Sequence, residues 1–117
     1  MNLSPDAFFG ALAHPLRLRA VILLQQEREL CVCELTHALG VSQPMISRHL
    51  AQLREAGVVR DRRERLWVYY RLHPDLPPWA RQVVIDAARG LAPQAPYGDD
   101  RAALASMPDR PGVSCCP

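Results

Sequence analysis

The chain has 117 residues and a hydrophobic content of 49%, which is enough for one compact domain with a modest core. It has no run of the roughly 18 apolar residues that a membrane span requires and no signal-peptide pattern at its N-terminus, so we expect a cytoplasmic protein without membrane contact. The net charge of +2 is unevenly spread, because residues 42–71 carry seven arginines against three acids. This basic block favours a nucleic-acid-binding face, with a solvated arginine-rich surface as the alternative.

Two short helices are predicted in the first 24 residues. Ser4, followed by a proline and an aspartate, is typical of a helix start, because its hydroxyl accepts a free N–H group of the first turn. This first helix carries Phe8 and Phe9. A second helix is predicted over residues 15–24, and residues 25–30 are predicted to be a polar connection.

A helix-turn-helix is predicted next. A short helix from Cys31 ends at Gly40, which suits a left-handed C-terminal cap, and Ser42 caps a longer helix over residues 43–56. Two helices joined by a short turn containing glycine describe a motif whose second helix enters the DNA major groove. For the helix alone, an ordinary amphipathic helix with a solvated outer face is the alternative. The side chains that we expect to reach base edges or phosphates include Gln43, Ser47, Arg48 and His49.

A β-hairpin, or wing, is predicted after this helix. Residues 58–60 and 66–71 are β-branched and aromatic, and a charged run separates them. Because the turn lacks glycine or asparagine, we expect a mobile tip longer than two residues. The arginines that we expect at DNA phosphates or in the minor groove are Arg62, Arg63 and Arg65, with a solvent-facing charge run as the alternative. Together the two helices and the basic hairpin favour DNA binding.

A dimer interface is predicted from the apolar faces at the two ends of this domain. A helix over residues 78–89 carries one apolar stripe, and Phe8 and Phe9 extend the surface; packing within one chain is the alternative. The stripe consists of Ala80, Val83, Val84, Ala87 and Leu91. Two copies would read half-sites roughly 34–36 Å apart.

The final 26 residues are predicted to be an irregular tail. They contain five prolines, although a short helix around residues 101–107 stays open. We therefore expect one DNA-binding and dimerisation domain over residues 1–91. The flexible tail, residues 92–117, carries the vicinal pair Cys115 and Cys116.

Cys31 and Cys33 stand at the start of the short helix. Thiolates are stabilised at a helix N-terminus, and in a reducing compartment we expect ligands or reactive thiols rather than disulfides. Residues two apart lie about 200° apart around a helix. Both sulfurs should therefore bind one ion only if the first turn is distorted, which would couple ligand binding to the DNA-reading helix. Buried structural cysteines are the alternative.

The chain resembles ArsR-type (ArsR/SmtB family) metalloregulatory repressors, particularly those that respond to arsenite and antimonite. The resemblance spans roughly residues 5–91 and rests on three segments, ELCVCEL, SQPMISRHLAQLREAGVV and RRERLWVYYRL. It implies a mainly α winged helix-turn-helix fold with a small β-hairpin, a homodimer formed through the N- and C-terminal helices, and release of operator DNA when thiolates bind As(III) or Sb(III). It implies that Cys31 and Cys33 are ligands. It also places five residues in the DNA-reading segment, namely Ser42, Gln43, Ser47, Arg48 and His49.

One departure from the family pattern concerns the third ligand. Many arsenic sensors of this kind carry a third cysteine three residues after the second, where this chain has Thr36. By resemblance As(III) takes three thiolates, so the third sulfur is expected from Cys115 or Cys116, of the same chain or the partner. The alternatives are a two-coordinate site with an exogenous ligand and a tail pair that is disordered or forms a separate dithiol site.

The sequence is also compatible with other ligands and other functions. Thiol-rich sites also bind Cd(II) or Pb(II). The resemblance disfavours zinc, because relatives that sense zinc on the last helix use histidines and carboxylates there, whereas residues 78–91 contain no histidine and one acid, Asp86. A thiol-based redox enzyme is disfavoured by the lack of a βαβ pattern or a phosphate-type glycine loop. A DNA-binding protein that senses nothing is a further alternative. We expect no enzymatic activity and no organic cofactor.

Overall fold

The computed structural model describes residues 2–108 and 110. Within these residues, pairs of helices are separated by a short strand and by a β-hairpin, in an order typical of a winged helix. The elements are α1 (Pro5–Leu12), α2 (Pro15–Glu27), β1 (Glu29–Cys31), α3 (Val32–Leu39), α4 (Gln43–Glu55), β2 (Val59–Glu64), β3 (Trp67–Leu72), α5 (Pro78–Leu91) and α6 (Tyr97–Ala105).

Local capping explains where the helices of the helix-turn-helix begin and end. Gly40 closes α3 in the left-handed conformation, with φ of 68°, as predicted from its position. Ser42 then caps α4, since its Oγ accepts the N–H of Met45 at 3.3 Å. The predicted helix-turn-helix is confirmed, with α4 ending one residue earlier than expected.

The sheet contains a strand that the sequence patterns did not predict. Helix α2 continues to Glu27, and β1 is formed by residues 29 and 30, expected in a polar connection, together with Cys31, expected at the start of a helix. The strand order is β1-β3-β2, with both pairs antiparallel. Cys31 lies opposite Tyr69, so the cysteine motif joins the wing through a backbone ladder.

The wing has a tighter turn than expected. Glu64 pairs with Trp67, which leaves Arg65 and Leu66 as a two-residue turn. Arg65 supplies the positive φ, at 57°, that such a turn needs and that glycine or asparagine usually provides. The prediction of a longer tip is therefore wrong.

A single core lies around α2. Five consecutive residues of this helix, 20–24, are at most 1% exposed, and they pack with the inner faces of the neighbouring helices and the sheet. The apolar side of α4 points inward as predicted, because Ile46, Leu50 and Leu53 are each 0% exposed. This packing fixes the DNA-reading helix to the domain through one face.

The predicted tail contains a docked helix. α6 packs against α3 and α2, with Leu104 1% exposed. Asp100, 3% exposed, accepts two hydrogen bonds from Arg19, at 2.6 and 2.9 Å. The boundary predicted after residue 91 is therefore wrong, because the packed domain includes α6.

No single helix within residues 2–108 and 110 is long and apolar enough to cross a membrane. α1 and α2 meet those criteria only as a pair bent by 99°.

Candidate functional site

The outer face of α4 is open, as a DNA-reading helix requires. Ser42, Gln43 and Arg48 are exposed and Ser47 is half-buried, whereas the apolar side of the helix faces the core. Within the described part of the chain no ion pair engages Arg48. A guanidinium in this position can donate two hydrogen bonds to a guanine edge.

Arg17 joins the end of α1 to the middle of α4. Its Nε donates to the carbonyl of Ala11 at 2.7 Å and its Nη2 to that of Gly10 at 3.4 Å. Its Nη1 donates to His49 Nδ1 at 3.3 Å and also to Gln52 Oε1. One side chain therefore bridges the two elements, and no local sequence signal predicted this role.

His49 has partners within its own chain. Its ring lies 4.4 Å from that of His14, whose Nδ1 accepts the N–H of Leu16 at 3.1 Å. Partial burial lowers the pKa of His49, and the charges of His14, Arg17 and Arg48 lower it further. Because arginine only donates, the contact with Arg17 requires an unprotonated Nδ1. We predicted that His49 reaches phosphates; in the DNA-free structure its ring contacts Arg17 and His14, and the phosphate contact stays a prediction.

The three wing arginines have different surroundings. Arg62 donates to both carboxylate oxygens of Glu29, at 2.9 and 2.8 Å, and to Glu64 at 2.6 Å. Its guanidinium also lies 4.5 Å from the centre of the Tyr69 ring. In the DNA-free chain two carboxylates engage the donors of Arg62, which disfavours the predicted contact with phosphates. Arg63 and Arg65 are exposed, and within residues 2–108 and 110 neither forms an ion pair.

The structure brings Cys31 and Cys33 together as a disulfide pair, with the Cα atoms 5.4 Å apart. We expected free thiols here. We also expected that both sulfurs could bind one ion only if the first helical turn was distorted, and the geometric premise of this expectation is wrong. Cys31 is the N-cap of α3, with extended φ and ψ of −81° and 163°, so the angular spacing of helical residues does not apply to it. The sulfurs meet at an intact strand–helix junction.

Glu34 supports this junction from inside the fold. Its Oε1 accepts the N–H of Cys31 at 2.9 Å, and its Oε2 accepts from Arg110 Nε at 2.7 Å. Arg110 also lies 3.6 Å from a carboxylate oxygen of Glu27. The sequence held a signal for Glu34, since a glutamate three residues after the cap is typical of a capping box. No signal indicated Arg110.

The predicted third sulfur ligand is not found among the described residues. The predicted candidates, Cys115 and Cys116, lie outside them. Within residues 2–108 and 110 no group of three or more His, Cys, Asp or Glu side chains can hold a metal ion. The hydroxyl of Thr36 donates to the carbonyl of Cys33 at 2.8 Å. Once reduced to thiolates, Cys31 and Cys33 would offer two adjacent soft donors, which suit a thiophilic ion.

A cavity of about 220 Å³ opens beside Cys33. It lies between the cysteine helix, the start of α4 and the turn of the wing. Its lining consists of Val32, Cys33, Thr36, Gln43, Leu66, Trp67 and Val68. The cysteine site is therefore adjacent to both of the elements expected to read DNA.

The predicted dimer residues divide into two groups. Phe8, Ala80 and Val84 are at most 1% exposed within their own chain, so the prediction that they face a partner is corrected. The remaining predicted residues keep exposed area, namely Phe9, Val83, Ala87 and Leu91. Trp79, which the sequence reasoning missed, is 42% exposed and stacks on Phe9 with ring centres 6.0 Å apart.

Comparisons with known proteins agree with this architecture. The model of the arsR family of bacterial regulatory proteins matches residues 14–61. The chain is 52% identical to the arsenic resistance transcriptional regulator ArsR1 of Pseudomonas putida, over 93% of this chain and 84% of that protein. It is 51% identical to the arsenical resistance operon repressor of Escherichia coli, over 74% of each chain.

Among solved structures, HlyU from Vibrio cholerae superimposes with a TM-score of 0.65 and 33% identity, covering 75% of this chain and 90% of that one. The fold is therefore that of a winged helix-turn-helix regulator, and the chain is not an enzyme. The residues matched by the family model, the sequence identity to relatives over most of their length, and the fold together show that the chain belongs to the arsR family of bacterial regulatory proteins.

Proposed function

We propose that this protein is a metalloid-responsive transcriptional repressor. It binds operator DNA as a homodimer and leaves the DNA when Cys31 and Cys33 capture As(III) or Sb(III). The observation that carries the proposal is the pairing of two sulfurs at the junction between β1 and α3. The names of the curated relatives, an arsenic resistance regulator and an arsenical operon repressor, support the choice of metalloid.

Two short connections link the sulfur pair to the DNA-reading elements. Cys31 pairs with Tyr69 of β3, so a change in its backbone acts on the wing. Cys33 lines the cavity that Gln43 and Trp67 also line. Capture needs the reduced pair: a thiol reductant supplies two electrons that open the S–S bond to two thiols, which lose their protons when they hold the ion. The ion then lies between the two sulfurs and alters the junction, without any need to unwind α3. Differential binding of the ion to the two forms then shifts the population towards the DNA-free state.

The C-terminal cysteines can complete the site from the same chain. Glu34 anchors Arg110 beside Cys31, and Cys115 follows five residues later. Five residues span at most about 17 Å when fully extended, which makes delivery of a third thiolate sterically feasible. We propose Cys115 or Cys116 as that ligand, with the partner chain or an exogenous ligand as alternatives.

Separate titrations with four candidate inducers test the proposal. The protein, bound to a fluorescent duplex from the promoter of its own gene, is titrated with arsenite, antimonite, Cd(II) or Zn(II) while anisotropy is followed. We expect release by arsenite and antimonite at concentrations at which zinc has no effect. Release by Cd(II) alone would instead indicate a Cd(II)/Pb(II)-responsive repressor, and no release by any of the four would contradict metal sensing.

Two arginines are expected to serve DNA binding differently. Arg48→Ala should weaken binding to the operator by about 1–3 kcal/mol, because a base contact is lost. Its affinity for random DNA should change little. Arg63→Ala should weaken both and reduce the salt slope by roughly one unit, because a phosphate contact is lost. Anisotropy titrations at several salt concentrations measure both effects.

Arg62→Ala is the matched control from the same strand. Its donors are held by Glu29 and Glu64, so its removal should leave the salt slope unchanged. If Arg62→Ala lowered the slope as much as Arg63→Ala does, our assignment of the wing contacts would be wrong.

A further inference from the structure

A second cavity, of about 480 Å³, lies at the base of the wing. There the end of α2, the end of β3 and the first turn of α5 meet. Arg28, Arg71 and Arg81, one from each of these places, line it. We propose that this cavity is a binding site for a small phosphate-like oxyanion, free or carried by a small molecule.

The charge of the cavity is only partly balanced within the described residues, because three arginines and a single carboxylate, that of Glu29, line it. Within residues 2–108 and 110, no ion pair joins Arg28, Arg71 or Arg81 to a carboxylate. Glu29 also lines the cavity, but Arg62 binds both of its carboxylate oxygens, at 2.9 and 2.8 Å. Three guanidinium groups therefore line one cavity without a carboxylate bound to any of them among the described residues, and a guanidinium fork matches the oxygens of a phosphate.

Local geometry constrains the side chain of Arg81 and the backbone of Arg28. Arg81 Nη2 donates to the carbonyl of Pro74 at 2.9 Å, which holds this side chain at the cavity wall. Arg28 ends α2 with φ of 74° and ψ of −59°, a conformation that is rare and strained for a residue other than glycine. Such strain persists where the surroundings enforce it and occurs preferentially at ligand sites.

A simpler explanation accounts for one arginine only. A cation at the C-terminus of α2 offsets the negative end of the helix dipole, which is sufficient for Arg28. It does not explain why Arg71 from β3 and Arg81 from α5 line the same cavity. Three cations from separate elements indicate a shared anionic partner.

The cavity is remote from the turn of the wing. β3 rises about 3.3 Å per residue, so Arg71 lies roughly 13 Å from Trp67 beside that turn. The wing arginines expected to meet DNA, Arg63 and Arg65, are at the other end of the hairpin. The anion is therefore a free ligand rather than a phosphate of the duplex bound by α4 and the wing.

Thermal unfolding of DNA-free protein in inorganic phosphate tests the site, with sodium chloride of equal ionic strength as the reference. At a tenfold excess of phosphate over its Kd we expect Tm to rise by at least about 4 °C. Arg81→Gln and Arg71→Gln should each abolish this rise, whereas Arg63→Gln should retain it. No rise beyond that in chloride, or an equal rise in the Arg81 and Arg71 variants, overturns the proposal.

The same variants distinguish a free anion from the DNA backbone. Titrations with duplex DNA at several salt concentrations should give Arg81→Gln the salt slope of the wild type. A slope reduced as in Arg63→Ala would show that the cavity receives a phosphate of DNA, and the free-ligand assignment would then fail.

Discussion

Serine at both Cys31 and Cys33 is expected to produce a repressor that binds its operator normally and stays bound at arsenite concentrations that release the wild type. The sulfurs are the paired soft donors of the described chain, whereas a serine hydroxyl is a hard and weak ligand for a thiophilic ion. The cysteines do not belong to the open face of α4, so the variant should retain operator affinity. Anisotropy with increasing arsenite measures both properties in one titration.

Two further variants make this result interpretable. Because Cys31 is 1% exposed, serine there buries a hydroxyl, and alanine at both positions provides a variant without that cost. Serine at both Cys115 and Cys116 tests the tail separately. We expect it to raise the arsenite concentration needed for release while the response remains. If the Cys31 and Cys33 variants respond like the wild type, the proposed inducer site is wrong.

Replacement of Arg17 by alanine is expected to weaken operator binding through the position of α4. Hydrogen bonds from a charged donor contribute about 1.5–3 kcal/mol each, and Arg17 joins the α1 carbonyls to His49 and Gln52. We therefore expect operator affinity to fall by about tenfold or more, since 1.4 kcal/mol corresponds to a factor of ten. Anisotropy titrations of the variant measure this loss.

The salt dependence separates this positioning role from a direct DNA contact. Arg17→Ala should keep the wild-type salt slope, because no phosphate contact is removed. Arg101→Ala is a matched control, since it deletes an exposed ion pair with Glu27 and should leave operator affinity unchanged. A reduced slope in Arg17→Ala would show that Arg17 itself meets the phosphates.

The features that followed from the sequence are those set by neighbouring residues. Gly40 and Ser42 act within a few positions of themselves, so the boundaries of α3 and α4 could be predicted. The burial of Leu50 and Leu53 follows from helical periodicity alone. The family resemblance added the cysteine ligands and the DNA-reading segment, which stay predictions.

The features that the sequence did not reveal depend on distant partners or on one-residue shifts. Arg62 meets Glu29 across 33 positions, so its hairpin location alone suggested a DNA contact. Strand β1 has three residues, too few for a periodic pattern. Cys31 lies just outside α3 instead of within it, and that single position reverses the argument about where the sulfurs point.

The turn of the wing illustrates a compromise between stability and charge. The backbone of Arg65 lies in the left-handed region, which costs a residue with a side chain about 1–2 kcal/mol. Asparagine or glycine there would relax the backbone and would remove a cation from the most protruding part of the hairpin. Engineering for thermal resistance would therefore favour a substitution that selection for DNA affinity disfavours.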